Sequence, residues 1–186
     1  MGKVIAFHRE GFLTILEAYL PKESIGVEIG VLNGDFSERI LQRIKPKRLY
    51  LIDPYETGGN KYESGLTTAY STEFDYEKIL ERFKSEISTQ QVTLFRNYSH
   101  DIVHKFKNNL FDFIYIDSSH LYEDVKKDLE DWLPKLKTNG YMCGHDYVEI
   151  ENFGVILAVD EFIVKHGFEW VALNENGGDW MLKRKV

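Results

Sequence analysis

Val27-Glu28-Ile29-Gly30-Val31-Leu32-Asn33-Gly34 is the stretch on which the fold of this 186-residue chain turns. The apolar run Ile25 to Ile29 reads as a short strand, and Gly30, Asn33 and Gly34 read as a tight turn. Phe36, Ile40, Leu41 and Ile44 then recur at the spacing of an amphipathic helix. The same strand, turn and helix unit repeats downstream. Leu49 to Ile52 ends in Asp53-Pro54, Val92 to Phe95 precedes a helix from about Ser99, and Phe111 to Ile116 ends at Asp117. Short apolar runs alternating with helices predict an α/β domain whose doubly wound, mostly parallel sheet is covered on both faces.

Beyond Asp117, Val125, Leu129, Trp132 and Leu133 mark a helix stopped by Pro134 and an Asn139-Gly140 turn, and Tyr141 to Gly144 reads as a strand. A helix follows around Val155 to Val164. Phe168 to Leu173 and Trp180 to Lys183 flank a turn at Asn176-Gly177-Gly178 and read as an antiparallel pair closing the sheet. The expectation is about seven strands, the last of them antiparallel. Residues 55–75 show no sustained period and begin where a strand ends, so they read as a lid over a ligand. Phe12, Leu13, Leu16, Tyr19 and Leu20 give residues 1–22 an amphipathic N-terminal helix, fit either to cover a site or to pack on a second subunit of a homo-oligomer.

Composition narrows the partners. An apolar fraction of 43% and a charged fraction of 28% describe an ordinary globular chain, and its length suits one domain over residues 1–186. A net charge of −7 argues against nucleic acid as the main partner, because phosphate-binding proteins carry a basic face. Cys143 stands alone and reads as a buried strand thiol, which fits a reducing, cytoplasmic setting. Glu10 and Glu17 interrupt the first apolar stripe, so it is no signal peptide, and no run is long enough to suggest a membrane partner.

The chemistry concentrates at the strand ends. Gly30 and Gly34 permit a tight turn and a close ligand approach, and the helix that follows offers free N–H groups. Asp53 is placed to accept hydrogen bonds from both hydroxyls of a ribose. A dinucleotide fingerprint requires a glycine where Leu32 stands, and the charge of Glu28 would repel a pyrophosphate while suiting an ammonium, which disfavours a nicotinamide-dependent oxidoreductase. Taken singly, the glycine turn and the strand-end acid are equally consistent with plain structural roles.

At these residues the sequence resembles the class I S-adenosylmethionine-dependent methyltransferases, whose first motif runs acid-x-Gly-x-x-x-Gly and whose second ends in an acid after a strand. Further elements tighten the resemblance: Ile116-Asp117-Ser118-Ser119-His120-Leu121-Tyr122, Leu136-Lys137-Thr138-Asn139-Gly140 and Gly144-His145-Asp146-Tyr147. Together they are similar to a branch of small-molecule O-methyltransferases that includes enzymes acting on macrolide sugars. The resemblance implies a Rossmann-like sheet, S-adenosylmethionine as cofactor and a small hydroxylated acceptor such as a sugar unit or phenol.

Carried onto this chain, the resemblance assigns the cofactor to Glu28, Gly30, Gly34, Asp53, Pro54, Ser99 and Asp117. It assigns a Mg²⁺ to Asp117 and Asp146, and the role of general base to His120. Hard carboxylate oxygens suit Mg²⁺, and an imidazole suits proton transfer near neutral pH. Each residue also has a plainer use: Asp117 and Asp146 as helix caps, His120 as a packing residue, Ser99 as a helix N-cap. The chain departs from the catechol-type enzymes by carrying Tyr147 where they place Asn after the second metal Asp, and His145 would be an unusual Mg²⁺ ligand. His8, His100, His104 and His166 lack a matching partner in the sequence and read as surface residues. A scaffold that keeps the cofactor fold without catalysis is the alternative, against which both the acid and the glycines of the first motif are present.

Overall fold

A computed structural model describes residues 4–6, 8–55, 76–176 and 178–185. The lid expected over 55–75 lies outside these residues except for Tyr55. The described strands are β1 (Val4–Ala6), β2 (Ile25–Ile29), β3 (Arg48–Asp53), β4 (Val92–Arg96), β5 (Phe111–Ile116), β6 (Leu136–Gly144), β7 (Phe168–Asn174) and β8 (Trp180–Arg184). They form one eight-stranded sheet in the order β1-β7-β8-β6-β5-β2-β3-β4, in which β8 alone runs antiparallel to its neighbours. The expected count of seven is corrected by β1, whose three residues pair with β7 and are too short to carry a readable alternation.

The helices are α1 (Arg9–Tyr19), α2 (Asp35–Arg43), α3 (Tyr76–Arg82), α4 (Lys84–Ser88), α5 (Ser99–Ile102), α6 (Tyr122–Trp132) and α7 (Val155–His166). Two apolar clusters divide them between the faces of the sheet. Phe12, Leu13, Phe36, Ile40 and Ile79 of α1, α2 and α3 pack with Leu49, Phe113 and Tyr115, while Ile102, Leu129, Trp132 and Val159 of α5, α6 and α7 pack with Val27, Ile29 and Ile114. Every residue of β5 is buried, as a central strand covered on both faces must be. The stripe of α1 is spent on its own sheet, with Phe12, Leu13 and Leu16 fully buried, so it is not left over for a second subunit.

Asn139-Gly140 is a second correction. These residues lie inside β6, which begins at Leu136 rather than at Tyr141. The register between β5 and β6 shifts between Phe111 and Phe113, and this irregularity absorbs the extra residues that read as a turn. Cys143 is a buried free thiol, as expected. No helix among the described residues is long and apolar enough to cross a membrane.

The strand order places a topological switch between β2 and β5. From β2 the chain winds outward through β3 and β4, then returns to add β5 and β6 on the other side. In open α/β sheets the crevice at the carboxyl end of such a switch is where ligands bind.

Candidate active site

Gly30 and Asp117 sit side by side at that switch. The Gly30 N–H donates to the Ile52 carbonyl and the Asp117 N–H to the Ile29 carbonyl, extending the ladders by one residue beyond the strands. Gly30 has φ +86°, and a Cβ there would come within 2.0 Å of the Asp117 carbonyl oxygen. Only glycine fits such a backbone approach. Gly34 is the N-cap of α2 with φ +79°, and a Cβ would strike the Phe83 ring. Between them Leu32 adopts φ +54° and leaves its side chain partly in solvent.

Asp53 fixes this turn to the neighbouring strand. Its Oδ2 accepts from the N–H groups of Val31 at 2.9 Å and Leu32 at 3.0 Å, and Oδ1 accepts from Tyr55 N–H at 2.9 Å. Pro54 follows, half-buried. Arg82 clamps the far side of the turn through the Asn33 carbonyl, Asp35 and Glu38. Beneath the turn, Glu28 is buried and accepts a 2.6 Å hydrogen bond from Ser37 Oγ. Burial pushes its carboxyl up to about 8, against the Ser37 hydrogen bond and Arg9, with Asp117 and Asp53 adding to the rise.

A different arrangement stands at the tips of β5 and β6. Asp146 Oδ2 lies 2.8 Å from His120 Nε2 and 3.1 Å from His145 Nδ1, and Asp117 Oδ1 lies 3.7 Å from His145 Nδ1. Burial acts to raise the Asp146 carboxyl, but the hydrogen bonds and charges of His120 and His145 prevail and hold it far below the usual carboxylate range. Burial raises Asp117, with His145 and Arg9 opposing it. His145 is raised because its bond to Asp146 and the charge of Asp117 outweigh its own desolvation. The His120 ring stacks on Phe153 at 4.3 Å, and its carbonyl accepts from Gly154 N–H at 2.7 Å. Trp180 Nε1 donates to the His145 carbonyl at 3.1 Å, tying β8 to this corner.

Asp117, His120 and Asp146 each bring one ligand atom within 4.8 Å of the others. Leu121 and Gly154, not the two aspartates, hold the N-caps of α6 and α7, while His120 both packs on Phe153 and joins the polar cluster. Tyr98, not Ser99, holds the N-cap of α5, and the Ser99 hydroxyl donates to Asp128, which also accepts from Ser118 at 2.8 Å. Three histidines read as unpartnered have partners. His8 caps α1 by accepting from Gly11 N–H at 2.9 Å, His166 contacts Glu130 at 2.9 Å, and His100 stacks on Tyr98.

Sequence reasoning missed a second layer behind the cluster. Arg9, at the start of α1, donates to Asp179 at 3.1 Å and lies 3.4 Å from Asp117. Asp179 is fully buried and also accepts from Tyr115 Oη at 2.6 Å. No local pattern announces these residues, since Arg9 reads as one exposed charge among others on an amphipathic helix.

A methyltransferase-domain family profile matches residues 27–147, from the strand before the glycine turn to the tip of β6. No curated protein sequence matches the chain. Among solved structures, a protein from Corynebacterium glutamicum is similar with a TM-score of 0.68 at 16% identity, over 97% of this chain and 83% of that one. The precorrin-6y C5,15-methyltransferase of Geobacter metallireducens aligns with a TM-score of 0.59 at 15% identity, over 91% and 75% of the two chains. An rRNA methylase from Streptococcus thermophilus aligns with a TM-score of 0.57 at 16% identity, over 94% and 95%. At these identities the structures establish the shared fold, and the profile, spanning more than half the chain, establishes the family. The chain thus belongs to the methyltransferase-domain family and is a class I S-adenosylmethionine-dependent methyltransferase.

Proposed function

We propose that this protein is an O-methyltransferase acting, as a single cytoplasmic domain, on a small hydroxylated acceptor, with His120 as general base. The observation that carries the reading is the 2.8 Å pair of His120 Nε2 and Asp146 Oδ2 beside Asp117, at the same strand ends as the Gly30 turn. A carboxylate on one ring nitrogen orients the imidazole, leaving Nδ1 to take the acceptor's proton. Phe153 holds the ring plane.

The residues fit the cofactor. Gly30 leaves a backbone surface that a side chain would fill, and Glu28 offers a buried acid that an ammonium would ionise. Asp53 keeps acceptor capacity beyond its three backbone bonds for ribose hydroxyls. In this reading Gly34 opens α2 toward the cofactor, Pro54 and Asp117 border it, and Ser99 acts through its backbone because its hydroxyl serves Asp128. S-adenosylmethionine supplies a methyl carbon activated by its sulfonium. The protein's part is to align the acceptor oxygen, remove its proton and exclude water.

Asp117 and Asp146 also fit a divalent ion, since each brings a carboxylate oxygen within 4.8 Å of the other. Mg²⁺ held there would orient and acidify the acceptor hydroxyl. The similarity to an rRNA methylase makes RNA the competing acceptor, and the net charge of −7 favours the small molecule. Titration with S-adenosylhomocysteine, in the wild type and Asp53→Ala, tests the cofactor site. Transfer of a labelled methyl group to hydroxylated small molecules and to RNA, with Mg²⁺ and with chelator, tests the rest. Transfer to RNA alone would sink the small-molecule reading, and undiminished activity in chelator would remove the metal.

A further inference from the structure

Arg9 lies outside the family-matched residues 27–147, yet its guanidinium reaches the strand-end cluster. It flanks the glycine turn on two sides. Its Cζ sits 4.4 Å from the centroid of the Phe36 ring, in the first turn of α2, and Nη2 lies 3.4 Å from Asp117, whose carbonyl packs on Gly30. The cation is anchored from behind: Nε donates to the buried Asp179, which Tyr115 and Asn174 also hold, and Nη2 donates to Tyr115 Oη at 3.2 Å. Nη1 makes no hydrogen bond among the described residues, and the side chain remains 29% exposed.

The charges around it define what Nη1 can meet. Asp53, Asp117 and Asp146 gather at the switch point with Glu28 beneath the turn and His145 beside the two strand-end acids, so carboxyl oxygens dominate the surroundings and offer a second carboxylate no donor. A carboxylate brought into those surroundings needs a permanent cation, and a guanidinium offers donors in a fork of matching geometry. We propose that Arg9 is a cofactor-binding residue that takes the α-carboxylate of S-adenosylmethionine, opposite the ammonium at Glu28. The N-terminal helix then forms part of the cofactor site, supported by Asp179, the residue before β8.

The assignment rests on the cofactor reading, and one calorimetric experiment separates the two. Wild type, Arg9→Gln and Arg9→Lys are titrated with S-adenosylhomocysteine and with S-adenosyl-3-thiopropylamine, which lacks only the carboxylate. The wild type should prefer S-adenosylhomocysteine by about 10- to 100-fold, the range of a charge-assisted hydrogen bond. Arg9→Gln should collapse that preference to roughly 3-fold or less while binding the amine as the wild type does, and Arg9→Lys should fall between. A preference that survives in Arg9→Gln, or that the wild type never shows, would overturn the proposal. Should Arg9→Gln fail to fold, the double variant Arg9→Gln/Asp179→Asn decides, because it removes the buried acid together with its counter-ion: an undiminished preference there refutes the role and a lost one supports it. Binding of neither ligand by the wild type would remove the cofactor reading and this proposal with it.

Discussion

The glycine turn after β2 and the polar cluster at the tips of β5 and β6 are neighbours built on opposite plans. The turn is held by side chains bonding to backbone: Asp53 to the N–H groups of residues 31, 32 and 55, and Arg82 to the Asn33 carbonyl. The cluster is held by side chains bonding to one another, with Asp146 shared by His120 and His145. Their electrostatics differ in the same sense. Glu28 under the turn is pushed toward its protonated form, whereas Asp146 is kept ionised. One region is a backbone turn over a buried acid pushed toward its neutral form. The other is a set of side chains already ion-paired with one another.

The contrast is broken most severely at Gly30. Gly30→Ala forces a Cβ onto the Asp117 carbonyl at φ +86°, and should cost about 3 kcal/mol or more in urea unfolding while abolishing S-adenosylhomocysteine binding. Wild-type stability in that variant would show that the turn yields. His120→Gln tests the other region: methyl transfer should fall by ~10²- to 10³-fold with S-adenosylhomocysteine affinity unchanged, as expected on losing a general base. A matching loss of cofactor affinity would mean that the two regions are not separable.

The pH response sharpens the comparison. Glu28 has a folded-state value near 8 against an ordinary 4.5, so the folded state binds the extra proton between those values. Its contribution is complete below about 4.5 and is lost as pH rises through about 8. Asp146 is depressed, so its contribution is present above the ordinary carboxylate value of 3.8 and is lost as pH falls toward its folded value. Glu28→Gln should therefore flatten the decline in urea midpoint between pH 5 and 8 and leave the acid limb intact, and Asp146→Asn should do the reverse. Cofactor binding near neutral pH should release a proton in the wild type and not in Glu28→Gln, read from titration heats in buffers of different ionisation enthalpy. The smallest effect is expected at Ser99→Ala, about 1 kcal/mol in chemical unfolding, because Ser118 still serves Asp128.

The difference between the two regions is also a difference in legibility. Glu28, Gly30, Gly34 and Asp53 belong to strand-turn-helix units whose period and turn residues are local, so their placement was readable from the chain. His120 and Asp146 were readable as residue types, and the resemblance joined them, but not the sharing of Asp146 with His145. The bond of the Ser99 hydroxyl to Asp128 was not legible, because that partner lies 29 positions away on another helix. Asn139-Gly140 was misread because a turn dipeptide can be carried in a strand by a register shift imposed from β5.

The sequence by itself determined the alternation of strands and helices, the antiparallel last strand, the glycine turn and the acids that end the strands. Each follows from a hydrogen-bonding period or a backbone conformation that a few consecutive residues fix. Only the tertiary structure decided that β1 joins the sheet at its edge, and that Arg9 meets Asp179 across 170 positions of chain. Such pairings are set by which strands lie side by side and in what register, and a single residue's surroundings in sequence carry no record of either.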